Sequence, residues 1–367
     1  MTTKSVNQVP GAHSKMGNRQ WLLFPILLVL FALTFLIPHY GLLNDYIQLI
    51  LIYVGINIIM AVSLNLINGY MGEFSLGHAG FMLIGAYVSS ILTVWVFPHT
   101  WGPTMTSLVL FPIAVIAGGL AAALAGLIVA FPSFKTRGDY LALVTLAFNM
   151  ICVSVVQNIE AIGGGRGFMG MDKLTTMSWV FLWALIAAWA IRNFIYSKFG
   201  RGALSIREDE TVSDLVSVNT KTVKILAFVI SAFFAGVGGA LFAHVLQFIT
   251  PKTFVIQKNI DFLVMVYMGG IGSIGGSILG AATYTILLEL LREALQLLGT
   301  IPPFTLIPSL EIWRWVVAPL LLILLMIFQP RGIMGLREFG LFVPNRDRFG
   351  ARLWLKKRKS PNANSPD

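Results

Sequence analysis

Long apolar runs, nearly free of charged residues, are the feature that most constrains the fold of this chain. A helix that crosses the hydrocarbon core of a bilayer needs about 20 predominantly apolar residues. Only 11% of the residues are charged, whereas about 25% is usual in a soluble domain. The sequence therefore predicts an all-α polytopic membrane protein. The candidate crossing runs are 21–37, 47–67, 76–96, 105–131, 140–159, 177–191, 225–249, a glycine-interrupted run at 262–290, and 315–328.

The positions of Lys and Arg predict how the chain is oriented. None occurs in the loops at 38–46 and 97–104. Most of them occur in the segments 1–20, 132–139, 192–224 and beyond 329. Cytoplasmic loops carry the excess of positive charge, so these segments are assigned to the cytoplasm and the two cation-free loops to the outside. Both termini are then expected in the cytoplasm.

The predicted organisation has three parts. A cytoplasmic tail at 1–20 precedes a transmembrane domain at 21–335, which contains a charged cytoplasmic loop at 198–224. The first apolar run is expected to remain as a helix, because a polar tail precedes it and no small-residue cleavage site follows it. A basic cytoplasmic tail at 336–367 ends the chain, and its charge suits lipid headgroups better than nucleic acid.

The number of crossings depends on the region 262–328. Termini on the same side require an even number, and the preceding runs bring the chain outside at about residue 250. Glycines at 269–276 divide the long run into 262–268 and 277–290. Either one crossing with a re-entrant piece or three crossings would satisfy the count. Three are preferred, which predicts about ten helices (eight at the least), with a broken or re-entrant helix near 262–290.

The charge-dense loop at 198–224 predicts a contact with a soluble partner. Its acidic cluster, Glu208–Asp209–Glu210, leads into Val212, Leu215, Val216 and Val218, which are spaced as on one face of a helix. A short, charged, half-apolar helix on one side of a membrane protein can be bound by a protein in the cytosol. A solvated loop without a partner is the alternative interpretation.

No catalytic, nucleotide or metal site is predicted, so we expect a chain that is not an enzyme and holds no cofactor. Residues 270–275, GIGSIG, match a dinucleotide-binding pattern, but they lie between membrane segments rather than after a strand. The histidines are scattered, Cys152 is the only cysteine, and no GxxxxGK[ST] loop is present. If ATP drives this protein, a separate subunit must bind it.

Polar residues and glycines inside the apolar runs are the candidates for a translocation path. Polar groups are costly in lipid and usually face a bundle interior or a cavity, although hydrogen bonding between helices is an equally good explanation for any one of them. The polar candidates are Asn57, Asn65, Asn68, Glu73, His78, Asn149, Gln157, Asp261 and Glu289. The predicted path residues are Glu73, Ser75, His78, Asn149, Gly269, Gly270, Gly272 and Gly275.

Motifs in a fixed order carry a resemblance to a known family. They are NLINGYMGEFSLGHAGFMLIGAY at 65–87, TRGDYLALVTLAFNMI at 136–151, GGGRGFMG at 163–170, GRGALSIREDE at 200–210, ILAFVISAFFAGVGGALFAH at 225–244, MGGIGSIGGSILGA at 268–281 and FQPRGIMG at 328–335. Together they resemble the LivM-type membrane permeases of ABC importers for branched-chain and other neutral amino acids. The motifs cover most of the chain between residues 65 and 335.

The resemblance implies a permease of the bacterial cytoplasmic (inner) membrane that works with other subunits. The implied partners are a second permease of the LivH type, two ATPase subunits of the LivG and LivF type, an extracytoplasmic substrate-binding protein and membrane lipids. ATP and Mg²⁺ would be bound by the ATPase subunits.

The same resemblance implies which residues of the charged loop couple the permease to its ATPases. They are Arg207, Glu208, Asp209, Glu210, Thr211, Asp214 and Leu215. Val212, Ser213 and Ser217 stand where family members usually have two small residues and a glycine, which is a departure from the family pattern.

Other functions remain open at this point. A permease of a urea or short-amide ABC importer is closely similar in sequence. A secondary transporter would need ion-coupling charges in mid-helix. Only Asp261 and Glu289 come near, both close to predicted helix ends, and neither has an obvious cationic partner inside the membrane. A membrane scaffold or receptor would explain the apolar runs but not the ordered motifs.

Overall fold

The structure of the protein is a computed structural model. It describes residues 31, 34–36, 40, 41, 43–96, 106–134, 140–215, 218–299, 320, 323, 327, 328, 332–334 and 338. Several predicted segments lie outside these residues: the tail at 1–20, most of the first run, the loop at 97–104, most of the last run and all of the tail beyond 335 except residue 338.

The described chain is almost entirely helical. The α-helices are α1 (Asp45–Asn65), α2 (His78–Ile91), α3 (Phe111–Ser133), α4 (Tyr140–Asn158), α5 (Met177–Ile195), α6 (Lys198–Glu208), α7 (Glu210–Leu215), α8 (Thr220–Leu246), α9 (Ile256–Gly269) and α10 (Ile274–Gly299). π-Helical turns extend α1 through Leu66–Met71 and α2 through Leu92–Val96, and another, Thr106–Leu110, precedes α3. Short 3₁₀ turns occupy Glu160–Ile162, Gly164–Arg166 and Pro251–Phe254. Strands β1 (Phe168–Met169) and β2 (Phe248–Ile249) form a small antiparallel ribbon.

Seven helical spans are long and apolar enough to cross a membrane. They are Asp45–Met71, His78–Val96, Leu108–Ser133, Tyr140–Asn158, Met177–Ile195, Thr220–Leu246 and Ile274–Leu297. The first six coincide with predicted apolar runs to within five residues at each boundary, whereas the last begins inside the predicted run at 262–290, at its glycine cluster, and ends beyond it. The prediction of an all-α polytopic membrane protein is therefore confirmed. The total of about ten helices and the cytoplasmic termini stay predictions.

The predicted interruption near 262–290 divides two antiparallel helices. Asp261 of α9 accepts a hydrogen bond from Tyr284 of α10, and Gly269 packs directly against Gly276. The helix α9 has 14 residues, a length of about 21 Å, and the hydrocarbon core is about 30 Å thick. Of this pair, only α10 is long enough to cross by itself, and α9 is a shorter helix packed on it.

Small residues allow α8 to occupy the centre of the bundle. A Cβ atom added at Gly236 of α8 would lie 2.5 Å from the Ala122 Cβ of α3, and one added at Gly85 of α2 would lie 2.1 Å from the Gly236 carbonyl oxygen. These backbones approach too closely for side chains to lie between them, as in other membrane helix pairs built on small residues. The helix α8 therefore contacts both α2 and α3 along much of its length.

The bundle has two ends that differ in their residues. The helices α2 and α8 run parallel, because Glu73 and Lys224 meet near their starts and Thr93 and His244 meet near their ends. We call the first end, with α6, α7 and the turn between α9 and α10, the α6 end. The second end carries the β1–β2 ribbon, and we call it the ribbon end.

Candidate functional site

The exposed part of the charged loop is a surface on α7 and the end of α6. Its apolar members are Val212, 54% exposed, and Leu215, 80% exposed. Glu208 and Thr211 are exposed beside them. We call these residues, Glu208, Thr211, Val212 and Leu215, the α7 surface. A nearly fully exposed leucine beside charged residues, at one end of a membrane bundle, is suited to contact with another protein.

The loop forms two short helices rather than one continuous helix. The backbone of Asp209 is extended, which ends α6, and its side chain accepts a hydrogen bond from the Val212 N–H, 3.0 Å away, at the start of α7. Ser213, one of the residues that differ from the family pattern, is buried. Its hydroxyl donates to the Ser205 hydroxyl of α6 over 3.0 Å. Val216, predicted to continue the helix, lies outside the described residues, and Val218 is not helical.

Bonds to α8 hold α7 at the α6 end. The Thr220 hydroxyl donates to Asp214 over 2.8 Å. The ammonium group of Lys224 lies 2.8 Å from a Glu210 carboxylate oxygen and 2.6 Å from one of Glu73. Lys224 is only 6% exposed, so these two carboxylates supply the charge that a buried ammonium group requires. Glu210 therefore faces the bundle, away from the α7 surface.

Arg207 also faces the bundle. Its guanidinium donates from Nη1 to the Gly69 carbonyl oxygen over 2.8 Å, in the π-helical end of α1. A Cβ atom at Gly72 or Gly272 would lie 2.9 Å and 2.8 Å, respectively, from Arg207 side-chain atoms. Among the predicted coupling residues, Arg207 thus connects α6 to the α1–α2 connection and to the glycine turn before α10.

The predicted path glycines form a tight turn at the α6 end. Gly270 and Gly272 have φ angles of 123° and 76°, which strongly favour glycine because a Cβ atom would be strained there. Asn65 of α1 holds the turn: it accepts from the Gly272 N–H over 3.0 Å and donates to the Ser273 carbonyl over 2.9 Å. The helix before this turn is α9, so the dinucleotide-like pattern at 270–275 does not follow a strand.

A segment near the end of the chain packs on the same turn. The N–H groups of Ile333 and Met334 donate to the carbonyls of Met268 and Gly269 over 2.8 and 3.0 Å. These bonds satisfy carbonyl groups at the end of α9 that have no partner inside the helix.

Glu338 completes the packing at the α6 end. Its carboxylate accepts from the N–H groups of Ile274 and Gly275, over 3.0 and 2.8 Å, at the start of α10. A carboxylate at the start of a helix is favoured by the orphan N–H groups and the helix dipole there. The Tyr70 hydroxyl donates to the same carboxylate over 3.1 Å. The path glycines are therefore enclosed by side chains and backbone from several parts of the chain.

The other predicted path residues line the start of α2. Ser75 and His78 are each 1% exposed. Side chains from three other elements bind the backbone N–H groups here: Asn68 accepts from Ser75, Thr145 from Leu76, and Asn259 from Ala79. Asn259 was not predicted from the sequence.

His78 and Asn149 lie in this buried polar region. The His78 Nε2 atom is 2.8 Å from the Ser63 hydroxyl oxygen. Asn149 of α4 is 1% exposed and packs against Gly80. Within the described part of the chain, His78 Nδ1, Asn149 Oδ1 and Asn259 Nδ2 are buried without a hydrogen-bond partner. The start of α2 thus has spare hydrogen-bonding capacity inside the bundle, whereas the glycine turn is closed by contacts.

The remaining polar candidates bind neighbouring helices. Asn57 donates to Thr285 over 2.8 Å, and Asp261 accepts from Tyr284 over 2.7 Å. Glu289 binds Tyr46 and lies 2.6 Å from Arg292. Arg292, which pairs with Glu289, is one helical turn further along α10. These contacts give Asp261 and Glu289 structural roles, and Gln157 is partly buried near the end of α4.

Seven helical spans long and apolar enough to cross a membrane, with the short helix α9 packed beside them, define a multi-pass membrane protein. The sequence matches the family described as "Branched-chain amino acid transport system / permease component" over residues 46–327. The chain belongs to this family, which confirms the resemblance drawn from the motifs.

Individual relatives agree with this assignment. The chain is 29% identical to the high-affinity branched-chain amino acid transport system permease protein LivM of Escherichia coli K12, over 79% of this chain and 70% of that protein. It is 25% identical to the probable branched-chain amino acid transport permease protein LivM of Methanocaldococcus jannaschii, over 79% of this chain and 93% of that protein. It is also 26% identical to the LivH permease of E. coli K12, over 76% of this chain and 91% of that protein. No solved structure matches.

Proposed function

We propose that this chain is a permease subunit of an ABC importer that carries branched-chain or other neutral amino acids across the bacterial cytoplasmic membrane. Its membership of the permease family over residues 46–327 carries this proposal. The crossing helices provide the membrane domain, and ATP with Mg²⁺ is bound by separate ATPase subunits. The chain itself then performs no covalent chemistry.

The proposed partners follow from the relatives and from the two ends of the bundle. Similarity to both LivM and LivH proteins supports pairing with a second, homologous permease of the LivH type. At the α6 end, the α7 surface would dock one of two ATPase subunits of the LivG and LivF type. At the ribbon end, residues 160–176 and 250–261 would receive an extracytoplasmic binding protein loaded with substrate.

In the proposed mechanism, movement of α7 changes which end of the bundle is open. ATP binding closes the ATPase pair and displaces the docked α6 and α7. The membrane helices then exchange between outward-open and inward-open states, and the amino acid passes along the interface of the two permeases. The path would use Glu73, Ser75, His78 and Asn149 together with the glycine turn, Gly269, Gly270, Gly272 and Gly275.

Reconstitution of the complex tests this function. The chain, the second permease, both ATPases and the binding protein are placed in proteoliposomes, and uptake of labelled leucine and urea is measured. We expect uptake of leucine only when all subunits and ATP are present. Uptake of urea alone would favour the related urea importers. Uptake by this chain alone, driven by an ion gradient, would instead make it a secondary transporter.

We also propose ten membrane helices with both termini in the cytoplasm. The seven described spans would be joined by the first run, 21–37, the last run, 315–328, and α9. With the segment before it, α9 leads from Ile249 in the ribbon to the glycine turn at the α6 end and so makes the tenth crossing. The α6 end, which carries the cation-rich segment 192–224, then lies in the cytoplasm, and the ribbon end lies outside.

Cysteine labelling tests this orientation. In a chain carrying Cys152→Ser, single cysteines are introduced as Thr211→Cys at the α6 end and Ala161→Cys at the ribbon end, because both positions are exposed. A membrane-impermeant maleimide is expected to label only the Ala161→Cys variant in intact cells, and both variants after the membrane is opened. Labelling of the Thr211→Cys variant alone in intact cells would reverse the orientation.

A further inference from the structure

Lys224 joins three separate parts of the chain at the α6 end. It lies in the first turns of α8, and its ammonium group contacts Glu73 in the α1–α2 connection and Glu210 at the start of α7. The side chain of Lys224 is 7% exposed, that of Glu73 19% and that of Glu210 44%. The ammonium group also lies 5.7 Å from the centre of the Phe134 ring, at the end of α3. We call Glu73, Glu210 and Lys224 the Lys224 triad.

Two carboxylates are more than the neutralisation of one buried cation requires. A buried ammonium group is costly unless an opposite charge is paired with it, and either glutamate alone would supply that charge. With both, the triad carries a net negative charge in a partly buried place. The second carboxylate therefore calls for a reason other than neutralising Lys224.

The geometry supplies that reason. Glu210 belongs to the helix that carries Val212 and Leu215, the exposed apolar residues of the α7 surface. Glu73 belongs to the connection that leads into the buried polar start of α2. Lys224 is part of α8, which packs against α2 and α3. A displacement of α7 would therefore move Glu210 relative to Lys224. Lys224 is itself part of α8 and is ion-paired with Glu73 in the connection to α2, so the displacement would reach both elements around the proposed path.

A second link runs beside the triad. Arg207 of α6 donates to Gly69 and packs against Gly72, at the other side of the same α1–α2 connection. The loop that carries the α7 surface is therefore held to the membrane helices on both sides of this connection. Such paired attachment favours movement of α6, α7 and the connection together.

We propose that Lys224 is a positioning residue that transmits the movement of α7 to the membrane helices through its simultaneous ion pairs with Glu210 and Glu73. This inference rests on the proposed function, because it assumes that an ATPase moves α7. Both ion pairs are needed in the transport cycle. The pair with Glu210 couples the displacement of α7 to Lys224, and the pair with Glu73 couples Lys224 to the start of α2.

The test removes one carboxylate at a time. Glu210→Gln and Glu73→Gln each leave Lys224 with one carboxylate partner and change no side-chain length. Glu293→Gln, at an exposed position of α10 far along that helix from the α6 end, is the matched control. Each variant is reconstituted as the complete complex, and leucine uptake and ATP hydrolysis stimulated by the binding protein are measured in the same proteoliposomes.

We expect Glu210→Gln and Glu73→Gln each to lower the leucine taken up per ATP hydrolysed by about tenfold, as for loss of a hydrogen bond between charged groups. The complex should still assemble, and Glu293→Gln should behave as wild type. Lys224→Arg, which can bind both carboxylates, should retain most of the coupling. Lys224→Met should lose it.

Other results would overturn the inference. If the triad only neutralises a buried charge, each glutamine variant would transport as wild type, because the remaining carboxylate is sufficient. If Glu210→Gln released the ATPase subunits, Glu210 would be a docking residue rather than part of a link. Failure of the proposed function is distinct, because the wild-type complex would then take up no leucine in the presence of ATP.

Discussion

Leu215→Asp is expected to abolish ATP-driven uptake while leaving the chain in the membrane at its normal amount. Leu215 is 80% exposed on α7, so an aspartate there meets water in the isolated chain and costs the fold little. In the complex the same aspartate would be buried against the ATPase without a partner, which disfavours docking. Loss of an interface hot spot costs about 2 kcal/mol or more, and we expect Leu215 to be one. Leucine uptake and co-purification of the ATPase subunits measure the effect.

Leu215→Met is the matched control, because it keeps an apolar side chain of similar volume and should preserve uptake. Glu208→Ala should have a smaller effect than Leu215→Asp, since an exposed ion pair contributes only about 0–1 kcal/mol. Normal uptake by Leu215→Asp, with ATPases still bound, would show that α7 docks through other residues.

The three acidic residues of the charged loop have different surroundings and are best tested one by one. Glu208 is exposed on the α7 surface, Asp209 binds the start of α7, and Glu210 binds Lys224. Replacing all three with alanine would therefore remove a surface charge, a helix cap and an ion pair to the buried Lys224 together. Single substitutions separate docking from the stability of α7 and from the link to α8.

The crossing helices were predictable because the bilayer limits the possible answers. The run at 140–159 corresponds to α4, Tyr140–Asn158, and the run at 76–96 to the span His78–Val96. A membrane helix must be apolar over nearly its whole length, so hydrophobic runs and element boundaries almost coincide. The break before α10 was predictable for a related reason, since several glycines within one run mark an interrupted helix.

The contacts within the α6 end were not predictable from the pattern of the loop. Neighbouring charges in the motif gave no basis for separating Arg207 and Glu210, which face the bundle, from Glu208, which does not. The extended backbone at Asp209 divides the loop into two helices and so changes which residues share a face. Lys224 and Glu73 are 151 residues apart, and a single sequence contains no information on that pairing.

The enclosure of the glycine turn was missed for a different reason. Glycines at 269–276 are conspicuous in the sequence, but the groups that pack on them come from distant segments. Asn65, Arg207 and Glu338 each reach the turn from a different element. Glu338 lies just beyond the motif at 328–335, where only a basic tail was expected. The sequence around a single glutamate does not indicate which groups it contacts in the fold.

Gly272→Leu and Gly275→Leu are expected to reduce uptake strongly, and Gly272→Leu the more so. Gly272 has a φ of 76°, and a Cβ atom would lie 2.8 Å from Arg207 Nη1 and 3.4 Å from the Gly69 carbonyl oxygen. A left-handed backbone costs a residue with a Cβ atom about 1–2 kcal/mol, and the leucine would also push Arg207 from Gly69. Gly275 is buried and donates to Glu338, so a side chain there would disturb the start of α10.

Leu320→Phe is the control, because it enlarges a side chain that is 57% exposed rather than enclosed. Uptake is compared at equal amounts of assembled complex, since a strained turn can also lower the yield of folded chain. If the turn forms part of the path, the glycine variants should bind their ATPases and still transport poorly, because a leucine side chain would fill space that only glycine leaves open. Equal transport by Gly272→Leu, Gly275→Leu and the wild type would place the path away from this turn and leave the polar start of α2, with His78 and Asn149, as its remaining candidate.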